Sequence, residues 1–448
     1  MRILILYAIN ATSTGTTNDH IEAFKNYSKN DIFLADYRVA EKLIDFSIYD
    51  CLVIHHSIPI GYQNSIGAQL EKKIIEYDGL KVLFIQDEMR WVNSTCDKIK
   101  KYEIAVIFTV TQSSVTRKIY RESWFDQIIF ENVLTGYVPT NLLSLDVPEY
   151  FTRKYDVTYR ARKLPAWCGY FGQEKSIIAD RFSQDARAYN LNCNISCAEK
   201  DRVYGRKWIK LMANSKSVLG AESGSSFIDF AGDIAPAIDA YQSSNPLADF
   251  KDIKEKYLLE QDGEIIIKAI SPRCFEAAAL KTLMIMYEGE YSGVLTAGRH
   301  YVPLRRDHKN MNDVVKILRD VNEATAIINN AYNEIACNDE WSYKSFIRRF
   351  DAVISDAFAR KGLVAKANAV ESAQSIQESI VDINKIYYKH ARKQFIKYKL
   401  AVGLSKCKGV YFYILENYMP VYISGKLHRV IAVTTRPFRN GLRNMLLK

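Results

Sequence analysis

The chain has 448 residues, 48% of them hydrophobic and 25% charged, a balance that excludes a disordered or collagen-like polymer and a length that exceeds one ordinary hydrophobic core. Its net charge of +10 is uneven: Lys385–Lys448 holds fourteen Lys and Arg against Glu416 alone, or +13, and the remainder sums to −3. Nowhere do about 18 apolar residues run together without charge, which argues against a membrane-spanning helix, and the eight cysteines are scattered, with only Cys193 and Cys197 close together and no histidine near them, so reduced thiols of a cytoplasmic protein are expected rather than a disulfide framework or a zinc site.

Met1–Ile9 is apolar but lacks the basic start and small-residue cleavage site of a leader, and reads as a first strand. From there to about Leu143, short β-rich runs alternate with helix-like stretches. The runs Ile3–Tyr7, Ile32–Leu34, Cys51–His55, Val82–Gln86, Ala105–Thr109 and Gln127–Phe130 predict strands of a parallel sheet with helices on both faces. The polar stretch Ser144–Lys154 separates this first Rossmann-like half, residues 1–150, from a second, residues 151–335.

The second half is expected to run strand Tyr155–Tyr159, helix Lys175–Tyr189, strand Cys193–Ser196, helix Tyr204–Ala213, strand Ser217–Gly220, a strand or helix end at Glu264–Ile270, helix Arg273–Leu280, strand Thr282–Tyr287 and helix Met311–Asp320. In residues 336–380, Phe346, Phe350, Ile354 and Phe358 recur every four positions, as on one buried helix face, and Ala365–Ser379 reads as a linker. Residues 381–448 form a basic, aromatic tail. The class expected is α/β, two Rossmann-like domains facing a central cleft with C-terminal helices, because ligands of open α/β sheets bind beyond the carboxyl ends of the strands.

Ser271-Pro-Arg-Cys-Phe-Glu-Ala-Ala-Ala-Leu-Lys-Thr-Leu-Met-Ile-Met-Tyr287 is the most informative stretch. It resembles the second domain of GT-B-fold glycosyltransferases of the group-1 branch that includes the spore-protein (CgeB-like) enzymes, and the likeness continues through Gly298–Leu304 and Asp307 to about Phe350. The resemblance implies transfer of a sugar from a nucleotide-sugar donor. Glu276 would bind the donor ribose, Arg273 would lie near the diphosphate or the sugar, and Ser271 would belong to the same donor-binding set. Physics supports these roles, since a carboxylate accepts from vicinal hydroxyls and a guanidinium fits phosphate oxygens. Glu276 favouring a helix N-terminus is the structural alternative. Retaining relatives often carry a second glutamate eight positions earlier, where this chain has Lys268, so the stereochemical course stays open.

Gly220-Ala-Glu-Ser-Gly-Ser-Ser-Phe-Ile-Asp-Phe230 follows a predicted strand. The amides around Ser223 and Gly224 are candidates for phosphate, and Glu222 or Asp229 for an acid–base group or a sugar-hydroxyl ligand; ordinary turn formation and capping are the alternatives. Arg160, Arg162 and Lys163, at the end of Tyr155–Tyr159, would neutralise a diphosphate leaving group without a metal, or form a solvated basic loop. In the first half, Asn10–His20 follows the first strand without the Gly-Lys-Ser/Thr ending of a phosphate loop. His20 there, and His55 with His56 at the end of the third strand, are candidates for a general base.

In the tail, Ile383, Tyr387, Ala391, Phe395 and Tyr398 recur at helical spacing with Lys385, Lys389, Arg392, Lys393 and Lys397 between them, and Tyr411–Tyr413, Tyr418 and Tyr422 follow. A basic amphipathic helix suits an anionic membrane surface; a solvated face is the plain alternative, and no nucleic-acid motif is present. The expected partners are a nucleotide-sugar donor and a glycan or lipid-linked acceptor of surface-polysaccharide assembly, at the inner membrane surface, with no cofactor, metal or nucleic acid. A nucleotide-sugar epimerase and a noncatalytic membrane-surface protein are the other readings.

Overall fold

The computed structural model describes residues 1–8, 15–366, 378 and 380–382. The start of the Asn10–His20 loop, most of the Ala365–Ser379 linker, and the basic aromatic tail from Ile383 onward lie outside the described residues.

The first sheet is built from β1 (Arg2–Tyr7), β2 (Asp31–Asp36), β3 (Cys51–Ile54), β4 (Leu80–Ile85), β5 (Val106–Thr109) and β6 (Ile129–Asn132). All its pairs are parallel, in the order β2-β1-β3-β4-β5-β6. Helices α1 (Gly15–Tyr27), α2 (Tyr37–Leu43), α3 (Ala68–Glu76), α4 (Val92–Tyr102) and α5 (Ser113–Ile119) make the connections. The continuous apolar runs of the strands have a direct cause: alternate residues serve two cores. Leu4, Leu6, Leu52 and Ile54 face one, and Ile3, Ile5, Cys51 and Val53 the other.

The second sheet contains β7 (Tyr155–Arg160), β8 (Cys193–Ser196), β9 (Ser215–Gly220), β12 (Leu283–Tyr287) and β13 (Val302–Leu304), with β10 (Ser223–Ser225) and β11 (Ile267–Ala269) forming a separate antiparallel pair. Its order is β13-β12-β9-β7-β8, again parallel. Around it lie α6 (Gly169–Asp185), α7 (Arg206–Ala213), α8 (Ile234–Ser244), α9 (Phe250–Ile253), α10 (Pro272–Ala279), α11 (Met311–Arg319) and α12 (Val321–Ala331). Val157, Tyr159, Leu219 and Ile285 pack on one face of the sheet, and Val218, Met284 and Met286 on the other.

The last long helix, α13 (Tyr343–Arg360), begins at Ser342, whose side chain accepts from the Ser345 amide. It leaves the second sheet and returns to the first: Phe346, Ile347, Phe350 and Ile354 are buried in the core that holds Ile3, Phe24 and Phe84. The stripe read from the sequence is therefore the seam that fastens the chain's end to its beginning, and burying each such side chain stabilises it by about 1.5–3 kcal/mol.

Backbone bonds also join the domains. The Trp91 amide donates to Asp229 O at 3.0 Å, the Asn93 amide to Phe230 O at 2.9 Å, and the Asp229 amide to Met89 O at 2.8 Å. Trp91 has φ 56°, and a Cβ on Gly232 would lie 2.0 Å from its ring. Only glycine at 232 lets the indole close over this bridge.

Candidate functional site

Each sheet reverses its strand order at one point: between β1 and β3 in the first, and between β7 and β9 in the second. The crevices beyond those carboxyl ends are where ligands of such sheets bind. In the second domain, α6 leaves the end of β7, the Glu222–Ser226 segment leaves β9, and α10 follows β11.

The helix termini here differ in what occupies them. At the start of α6 the Tyr170 amide donates to both oxygens of Asp262 at 3.1 and 3.2 Å, and Ser226 Oγ donates to the same carboxylate at 2.5 Å. A protein anion already fills that terminus. At the start of α10, Ser271 makes no side-chain cap and Pro272 occupies the first turn, so that terminus carries Arg273 without a carboxylate of its own in its first turn.

Arg273 and Lys175 make this crevice cationic. Lys175 Nζ donates to Ser223 Oγ at 2.6 Å, and burial, with the like charge of Arg273, lowers its pKa to about 8. Arg273 lies over the Tyr159 ring at 4.8 Å and the Trp208 ring at 5.5 Å, and donates through Nη2 to Arg160 O at 2.7 Å. Its Nε is buried without a hydrogen-bond partner. Glu276, one turn along α10, accepts from Trp208 Nε1 at 2.8 Å. Burial raises its pKa, against that hydrogen bond and the charge of Arg273.

The first domain supplies the facing wall. Asp87, just beyond β4, is reached by solvent but walled by protein; that desolvation raises its pKa while Lys175 and Arg162 pull it down. Asp19 on α1 acts on Glu276 from across the cleft and adds to its raised pKa. Gly136 packs between Thr16 and Pro272, bringing the start of α1 against the start of α10.

Several residues named from the sequence sit elsewhere. Arg160 folds back on the sheet, donating to Asp201 O, Tyr159 O and both oxygens of Asn194 at 2.6–3.0 Å; its guanidinium braces β7 to β8. Arg162 is half-buried and acts on Asp87, and Lys163 is exposed. The expected phosphate turn at Ser223 and Gly224 is instead the antiparallel strand β10, with Gly224 opposite Lys268. Gly224 has φ 142° and a Cβ there would meet Ile267 O at 1.8 Å, so the glycine serves strand pairing.

Glu222 is 3% exposed, and its Oε1 accepts from the Tyr291 amide at 2.8 Å. Burial raises its pKa, and the carboxylate anchors the turn after β12 rather than standing free in the cleft. Asp229 accepts from the amides of Gly232 and Ala235 at 2.8 and 3.0 Å, a turn and helix-start cap. His20 and His55 are 2% and 0% exposed and bond to each other. Burial, with the positive charge of neighbouring histidines, holds both pKa values well below the usual range, so neither ring meets an incoming hydroxyl as a general base here.

Sequence reading missed Lys175, Asp87 and Trp208. Lys175 was visible only as the expected first residue of a helix, and nothing local marks Asp87, because the two meet only when the domains pack.

Two parallel Rossmann-like sheets facing one cleft, closed by a C-terminal helix returning to the first domain, constitute the GT-B fold. Among solved structures, an alpha-glucosyltransferase in complex with UDP and a 13-mer DNA containing a HMU base matches 80% of this chain and 99% of its own, with TM-score 0.51 and 11% identity. T4 phage BGT in complex with its UDP-glucose substrate matches 80% of this chain and 99% of its own, with TM-score 0.43 and 11% identity. TarM matches 72% of this chain and 57% of its own, with TM-score 0.40 and 12% identity. At such identities the likeness is one of fold. No protein-family model and no curated protein matches the sequence.

Proposed function

We propose that the protein transfers a glycosyl group from a nucleoside-diphosphate sugar to a hydroxyl of a glycan or lipid-linked acceptor in surface-polysaccharide assembly, within the CgeB-like branch that its Ser271–Tyr287 motif resembles. The observation that carries the reading is the gathering of Lys175, Arg273 and Glu276 at the open start of α10, in a fold shared with a glucosyltransferase crystallised with UDP. Arg273 and Lys175 are half-buried and repel one another, which costs stability; a diphosphate between them removes that cost. Glu276 binds the ribose hydroxyls.

Attack by the acceptor oxygen forms the new bond to the anomeric carbon as the bond from that carbon to the phosphate oxygen breaks. The nucleoside diphosphate leaves with the electron pair, neutralised by Lys175 and Arg273. The acceptor proton passes to Asp87, the carboxylate that the first domain sets opposite Lys175. The basic tail would keep the enzyme at an anionic membrane surface, near lipid-linked acceptors.

The test is calorimetric titration of nucleoside diphosphates into wild type and Glu276→Ala, with and without chelator. Binding that Glu276→Ala weakens and chelator leaves alone supports the donor site and its independence of metal, whereas no binding of any nucleotide to wild type rejects the reading. Because the alpha-glucosyltransferase with TM-score 0.51 is in complex with a 13-mer DNA containing a HMU base, turnover assays offer DNA containing that base beside lipid-linked and free glycans, and transfer to DNA alone would replace the acceptor assignment.

A further inference from the structure

Three histidines meet at the strand-order reversal of the first sheet: His20 on α1, and His55 with His56 just past β3. They are the only group of three or more metal-competent side chains among the described residues. One ligand atom from each lies within 4.8 Å of the other two, and His20 Nδ1 and His55 Nε2 are 3.0 Å apart. Nδ1 of His56 is buried without a hydrogen-bond partner, although a buried imidazole nitrogen ordinarily finds one.

We propose that His20, His55 and His56 bind one divalent transition-metal ion of the zinc class. Tetrahedral coordination with metal–nitrogen bonds of about 2.0–2.1 Å sets nitrogens about 3.3 Å apart. The His20–His55 pair already has nearly that spacing. His56, the one residue of the three that is not fully buried, closes the rest by a small swing, and water takes the fourth position on its side.

The surroundings supply the support that a metal-bound imidazole uses. Without metal, the Ser57 amide donates to His55 Nδ1 at 3.1 Å, which puts the ring proton on Nε2, directed at His20 Nδ1. On metal binding that proton moves to Nδ1, where Ser57 Oγ at 2.9 Å accepts it, and the Ser57 amide gives up its bond to Nδ1 and turns away from the ring. Ser57 Oγ is itself held by the Ala8 amide at 2.9 Å, tying the site to the end of β1. No net proton is gained or lost at His55. The ion would pin α1 to β1 and β3, and α1 also carries Asp19, which acts on Glu276 across the cleft. Its place is thus structural and on the acceptor side, apart from the diphosphate cations.

The test uses the full chain without an affinity tag. Metal content is measured after purification, then the chelated protein is titrated with Co2+ and Zn2+ while the visible spectrum and thermal midpoint are recorded. One equivalent of metal is expected, with intense tetrahedral cobalt bands and a zinc-dependent rise of several degrees in the midpoint. Both signals are lost in His56→Gln. That variant removes no hydrogen bond made by Nδ1, so it should fold, and His20→Gln serves as a second arm. Equal metal content in wild type and both variants, or cobalt spectra of an octahedral ion only, would overturn the assignment and leave a hydrogen-bonded histidine pair.

Discussion

Lys175 allows the donor-site reading to be tested by acidity alone. Its pKa is lowered from 10.5 to about 8 by burial and by Arg273, and a bound diphosphate between the two cations would return it toward its ordinary value near 10.4. The protonated form binds, so affinity falls as the free protein loses that proton: from pH 7 to pH 9 the dissociation constant should rise about tenfold, or about 1.4 kcal/mol. Calorimetry at pH 7, 8 and 9, each in two buffers of different ionisation enthalpy, reads both the loss of affinity and the proton taken up on binding.

Folding shows the opposite dependence. The folded pKa of Lys175 lies below the unfolded one, so the unfolded chain holds the proton more tightly, and the group's unfavourable contribution is full below about pH 8 and fades as the pH rises toward 10.4. The shift from 10.5 to about 8 sets a ceiling on the order of 3 kcal/mol for that cost. Lys175→Met should therefore hold or raise the thermal midpoint at pH 7 while weakening nucleotide binding and flattening its pH dependence, the trade expected of a residue retained for binding. Affinity that is level from pH 7 to pH 9 in the wild type, or an unchanged slope in Lys175→Met, would refute the assignment.

Glu276→Ala should weaken ribonucleoside diphosphates by about 1.5–3 kcal/mol, the range for hydrogen bonds to a charged group, and leave 2′,3′-dideoxy analogues nearly unaffected, as calorimetry would show. Arg153 is 5% exposed and donates to Pro148 O, Ser215 O, Leu280 O and Thr282 Oγ1; Arg153→Ala takes a buried donor from all four acceptors, and the urea midpoint should fall by the equivalent of about 3–5 kcal/mol. Gly224→Ala, with its Cβ against Ile267 O, should lower the thermal midpoint markedly, whereas a phosphate-loop role would cost binding without stability. Glu222→Gln should keep measurable turnover because its carboxylate holds a turn; loss of turnover in a folded variant would return it to the reaction.

Periodicity was a good guide to what the chain does locally. Cys193–Ser196 is a strand as read, β9 adds two residues to Ser217–Gly220, and the stripe Phe346, Phe350, Ile354 lies on α13. Elements with little hydrophobic signal escaped: the three-residue strands β10 and β13, and α8, whose buried residues are Ala235 and Ile238. The site was less legible than the fold. Ser271–Tyr287 pointed to α10, but charge alone could not distinguish Arg160, spent on carbonyls of β8, from Lys175, held in the crevice. Asp229 caps a local turn, the alternative its sequence offered, whereas nothing near Glu222 in sequence reveals the Tyr291 amide that binds it.

The bridge of Met89, Trp91 and Asn93 to Asp229 and Phe230 bears on the construction of chimeras. A donor domain taken from another protein by a cut in Ser144–Lys154 would arrive with its own partner for Trp91, and any residue larger than glycine at position 232 would collide with the indole. Exchange of sugar specificity between such proteins therefore has to move residues 89–93 and 229–232 together, as one inherited unit split between two distant parts of the chain.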